Sequence, residues 1–166
     1  MKTLLLLVVA LLLLALESVV VMELGLTLTR IDVTMALVVF LALKASKVEG
    51  AIGAFGIGYL LDVMSGHPTM LYPFLAVLVF LLVRAAAAVI DTHSRPLFAI
   101  TTAAAAAGHG LLAFGFTSIT ALSGQGVSLR GLPLQVVLSA GFAFLMWPAL
   151  KRLDFGQDRP EPGVLR

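Results

Sequence analysis

Long apolar runs, interrupted only by short charged or Gly/Pro-bearing breaks, recur along almost the whole of this chain. Thr3 to Met22, Thr69 to Ile90, Pro96 to Leu122 and Leu132 to Leu150 are each long enough for a helix to cross a hydrocarbon core of ~30 Å. Two shorter runs, Val33 to Leu43 and Gly50 to Met64, lie between the first two of these and are split by "KASKVE". The shorter of them reaches only about 16 Å as a straight helix, unless "GLTLTRI" before it is recruited. The pattern predicts an all-α, polytopic membrane domain over residues 1–150 with about six transmembrane helices, the second and third being the least regular.

Composition bears on what this domain excludes. Of 166 residues, 60% are hydrophobic and 12% charged, and the mean hydropathy is +1.08, far outside the range of soluble domains. Only residues 151–166, "KRLDFGQDRPEPGVLR", read as solvated, and proline and charge predict a short disordered cytoplasmic tail there. Cysteine is absent, which excludes a disulfide framework, a thiolate metal site and a cysteine nucleophile. The pI near 9.3 does not indicate nucleic acid, because the eleven Lys and Arg sit dispersed at the ends of apolar runs.

That dispersal predicts the orientation. With the N-terminus inside, Lys2, Lys44, Lys47, Arg84, Arg95, Lys151, Arg152, Arg159 and Arg166 are internal, and only Arg30 and Arg130 are external. Nine against two places both termini in the cytoplasm by the positive-inside rule. Trp147 then suits an inner aromatic belt and Tyr72 an outer one. The opening "MKTLLLLVVALLLLALES" also looks like a secretory signal. The apolar run resumes after Glu17 without a clear cleavage site, so an uncleaved first span is the expectation.

Within the third run, "GAIGAFGIGYLLDVMSG", four glycines precede one acid. Gly50, Ala54, Gly58 and Asp62 are four apart and share one helical face, and Gly53 and Gly56 widen it. Small residues let membrane helices approach closely, so this row predicts a packing surface for another helix of the chain or of a partner. A phosphate loop lacks the G-x-G-x-x-G order and the preceding strand; a re-entrant helix is the remaining alternative.

Asp62 has two readings: an intramembrane carboxylate facing a bundle interior or partner, or the outer end of a short helix, since "SGHP" follows as a turn. Glu17, Asp62 and His109 each fall about 20 Å along inside-to-outside helices, which predicts a polar layer if those helices are neighbours. The alternative puts them on different faces with local partners. Arg84 is expected to snorkel or to pair with a carboxylate, and Asp91 and Arg95 to form a solvated pair. His67 and His93 have no second ligand at a metal-binding spacing, and no serine has a His and an acid arranged around it. No metal, cofactor or catalytic residue is expected.

One family pattern overlaps these residues. "RIDVTMALVVFLALK", a turn, and then "GAIGAFGIGYLLDVMSGHP" resemble the rod shape-determining membrane protein MreD family, in which a glycine-rich span ends in leucine and aspartate before a small-residue turn. Gly50, Gly53, Gly56, Gly58 and Asp62 fall on that pattern, as does Asp32 at the outer end of span two. The family usually has leucine and glycine after the turn, where this chain has Thr69 and Met70. The resemblance implies a non-catalytic scaffold of the cell-elongation machinery in the bacterial inner membrane. Its implied partners are MreC first, and then RodA, the elongation-specific penicillin-binding protein and MreB. It also implies a fold similar to the substrate-binding subunits of energy-coupling-factor vitamin transporters, and hence the alternative of a small-molecule-binding transporter subunit. A small intramembrane enzyme would rest only on Glu17, Asp62, His67 and His109, whose spacing fixes no reaction.

Overall fold

A computed structural model of the chain describes residues 2–23, 32–64, 70–87, 94–119 and 131–152. Over these the chain is helical with no strand: α1 (Lys2–Glu23), α2 (Val33–Lys44), α3 (Lys47–Met64), α4 (Leu71–Ala86), α5 (Arg95–Ile119) and α6 (Leu132–Arg152). Each helix lies on one of the apolar runs. Two of them, α5 over Arg95–Phe116 and α6 throughout, are long and apolar enough to cross a membrane. Because α6 continues through Arg152, the expected tail at residue 151 gives way to helix for its first two residues; residues 153–166 lie outside the described part.

The shortest helix is the centre of the fold. Every residue from Val33 to Leu43 is buried, and α2 packs against all five other helices. A helix apolar on all sides has no solvent face to offer and belongs inside. Its twelve residues span about 18 Å. Phe40, Leu37, Leu41 and Met35 share one core with Ile57 of α3 and Phe80 of α4.

At its far end α2 hands over to α3 in two residues. Ala45 is extended, and Ser46 and Glu49 then form a reciprocal cap: the Ser46 Oγ accepts from the Glu49 N–H at 3.3 Å and its hydroxyl donates to Glu49 Oε2 at 3.1 Å. This cap satisfies one orphan donor of the new helix, the Glu49 N–H. Arg84, in the last turn of α4, reaches back and donates to the Ala45 carbonyl at 2.7 Å, its guanidinium 5.9 Å from the Phe80 ring centre. It therefore binds a backbone carbonyl at the α2–α3 corner.

The glycine row of α3 is filled by α4 of the same chain. A Cβ at Gly58 would lie 2.7 Å from the Pro73 Cα and from the Tyr72 carbonyl oxygen, and one at Gly50 would lie 2.5 Å from the Phe80 ring. Gly56 turns instead to α1, where a Cβ would meet the flexible end of Leu7 at 2.8 Å. Of the two occupants the sequence allowed, the structure puts the chain's own helix in the groove. On the other side of the bundle, Phe98 of α5 and Trp147 of α6 pack with ring centres 4.8 Å apart. Trp147 is buried, a core residue rather than a member of an aromatic belt.

These contacts give the bundle two chemically distinct ends. Asp32, Tyr72, His109, Gln135 and Ser139 meet at one. The other gathers Lys44, Lys47, Arg84, Arg95, Lys151 and Arg152, every Lys and Arg whose side chain is described.

Candidate functional site

Asp32 is the N-cap of α2. Since that helix start is buried, its orphan N–H groups have no water and must be satisfied by the protein. The Asp32 Oδ1 accepts from the Met35 N–H at 3.3 Å and from the Thr34 hydroxyl, so "D-V-T-M" closes the cap locally. A carboxylate also sits well at the positive end of a helix dipole.

Its second oxygen carries the long-range contacts. Oδ2 lies 3.1 Å from His109 Nδ1 on α5 and 3.5 Å from Gln135 Nε2 on α6. The Asp32 backbone N–H donates to Ser139 Oγ, also on α6, at 3.0 Å. One residue thus ties the starts of α2 and α6 to the second half of α5. Asp32, His109 and Ser139 are all buried, and a buried carboxylate is tolerable only with donors of this number and quality.

His109 is held on one side only. With Nδ1 engaged by Asp32, the opposite nitrogen, Nε2, is buried and has no hydrogen-bond partner among the described residues. The Tyr72 ring of α4 stands 6.0 Å away, tilted by 44°. The arrangement orients an imidazole firmly, but Ser139 spends its oxygen on the Asp32 backbone and does not complete a nucleophile, base and acid series. Among the described residues no group of three or more His, Asp and Glu side chains is placed to hold a metal ion.

The sequence-derived candidates divide between this cluster and the α3–α4 corner. Gly50, Gly53, Ala54, Gly58 and Asp62 are buried on α3 and Gly56 half-buried. Asp62, fully buried, accepts the Met70 N–H at 2.8 Å through Oδ2. It ties the end of α3 to the residue that begins α4. Of the three residues expected in one polar layer, His109 takes Asp32 as its carboxylate partner; the side chain of Glu17 lies outside the described residues, as do His67, His93 and Asp91. Thr34, Gln135, Ser139 and Tyr72 were not anticipated. Gln135 and Ser139, four apart in an otherwise apolar helix, were the available signal.

Met70 has φ 59° and ψ 11°, the left-handed region that favours glycine. It is the only non-glycine residue with positive φ among those described.

Among the described residues, fold and site together define an all-helical bundle, with two helices long and apolar enough to cross a membrane and a buried polar cluster around Asp32. Comparison with protein-family models, with curated proteins and with solved structures finds no match to this chain.

Proposed function

We propose that this chain is a multi-pass inner-membrane scaffold of the kind the MreD family represents, joining a single-span partner such as MreC and the wall synthases to the cytoskeleton. The observation that carries the reading is the α3–α4 corner. The resemblance has glycine where this chain has Met70, and among the described non-glycine residues position 70 is the one whose backbone favours glycine. The pattern's other elements have matching physical tasks there. Gly58 admits the α4 backbone and Asp62 binds the first N–H of the turn's exit.

The bundle's polarity supports the orientation. All described Lys and Arg gather at one end, which the positive-inside rule assigns to the cytoplasm. Six spans then follow if α2, α3 and α4, short as they are, cross with the others around them. Because the glycine row is occupied internally, partner contacts belong to other surfaces. The alternative, a transporter subunit, draws on the polar cluster at the opposite end, where His109 Nε2 is buried without a hydrogen-bond partner among the described residues.

Depletion in a rod-shaped bacterial host separates the two. The scaffold reading expects rods to widen and round up while vitamin uptake is unchanged. Normal rods with impaired uptake would overturn it.

A further inference from the structure

The end of the bundle opposite Asp32 is a cationic rim. Lys47, Arg95, Lys151 and Arg152 are exposed there, and Lys44 and Arg84 are half-buried beside them. Glu49 is the one described acid at this end, and it is held by Ser46 in the α3 cap. Three helices, α2, α4 and α6, finish here with a cation in their last turn, and their carbonyl ends account for part of that charge. The exposed Lys47 and Arg95 stand at helix starts instead, where a helix dipole gives them no reason to be.

What borders the rim distinguishes its ligand. Next to four of these cations the surface is apolar and open: Val48 (69% exposed) follows Lys47, Leu81 and Leu82 precede Arg84, Ile100 lies just over one turn from Arg95, and Leu145 (75% exposed) lies under two turns from Lys151. A charged edge on an apolar belt matches a phospholipid, whose phosphate meets the cation while its acyl chains cover the belt. An acidic protein segment would satisfy the cations and leave the belt uncovered.

We propose that this rim is a binding surface for anionic phospholipid headgroups, retaining a shell of acidic lipid around the cytoplasmic end of the protein. The inference rests on the membrane reading above and adds a lipid preference to it. Trp147, the single tryptophan of the chain, is buried and does not face lipid, so the reporter is placed by L145W in a W147F background, at the open position beside the rim.

The test is quenching of tryptophan fluorescence by brominated lipid in vesicles containing the full chain with L145W and W147F. Brominated phosphatidylglycerol diluted into phosphatidylcholine is compared with the reverse mixture. The expected result is a preference for the anionic lipid of about threefold or more at low salt, since each cation near a membrane surface contributes to such attraction. The preference should fall towards unity in 0.5 M salt, about a 4 Å screening length, and in the variant carrying K47Q, R95Q, K151Q and R152Q. Equal quenching by both lipids in the inserted reporter chain would overturn the proposal, as would a preference that survives replacement of the four cations. Failure of the chain to insert at all would instead overturn the membrane reading. If the four-cation variant folds poorly, the salt dependence of the reporter chain decides alone.

Discussion

His109 Nδ1 and Asp32 Oδ2 meet at 3.1 Å across 77 positions of sequence, and the contact joins the buried start of α2 to α5. Removing one partner of a buried hydrogen bond leaves the other unsatisfied, at a cost of about 1–3 kcal/mol. Asp32→Ala, which also removes the α2 cap, is expected to lower the unfolding midpoint in detergent more than His109→Gln. The double variant should lose less than the sum of the two, because they share one interaction. Strict additivity would show the two residues to be energetically independent.

Met70 offers the opposite sign. Its left-handed backbone costs an L-residue about 1–2 kcal/mol, and its side chain is 57% exposed, with little packing to lose. Met70→Gly is expected to raise stability by about 1 kcal/mol, less glycine's own entropy cost. A loss of stability on thermal unfolding would contradict the conformation described for this corner.

The glycines are expected to rank by what a methyl group would meet. Gly58→Ala should be the most damaging, since the opposing atoms are α4 backbone, followed by Gly50→Ala against the Phe80 ring. Gly56→Ala displaces only the tip of Leu7. Gly108→Ala and Gly141→Ala, with open space at both sites, should be neutral or gain up to about 1 kcal/mol of helix propensity. Midpoints of unfolding for the five variants check the order; equal effects at Gly58 and Gly141 would refute the α3–α4 packing.

Orientation is open to direct labelling because the chain has no cysteine. Lys47→Cys and Lys151→Cys should react with a membrane-impermeant maleimide only after the membrane is opened. Gln125→Cys, in the segment joining α5 and α6, should react in intact cells. The reverse pattern would invert the topology.

Much of this was legible in the sequence, for reasons of one-dimensional pattern. The apolar runs placed all six helices, and the shortness of Val33–Leu43 marked α2 as unusual before its burial was known. The four-residue spacing of Gly50, Ala54, Gly58 and Asp62 is visible in the sequence, and all four are buried on α3. What occupies a face is a tertiary fact, and periodicity cannot distinguish α4 from another protein. The partner of His109 was hidden for the same reason. Depth arithmetic put it level with Asp62, but the choice of Asp32 depends on which helices are neighbours, and α2 became everyone's neighbour only through its all-round apolarity. Ser46 and Glu49 stood in the sequence as a helix cap, legible from spacing alone yet read only as a polar break.

The scaffold reading is tested most directly by capturing the tagged full chain in mild detergent and identifying what accompanies it by mass spectrometry. It predicts co-purification of a single-span MreC-like protein with elongation-specific wall synthases, retained in the stable Met70→Gly variant. Recovery of a transporter energising module in their place, from correctly inserted protein, would contradict it.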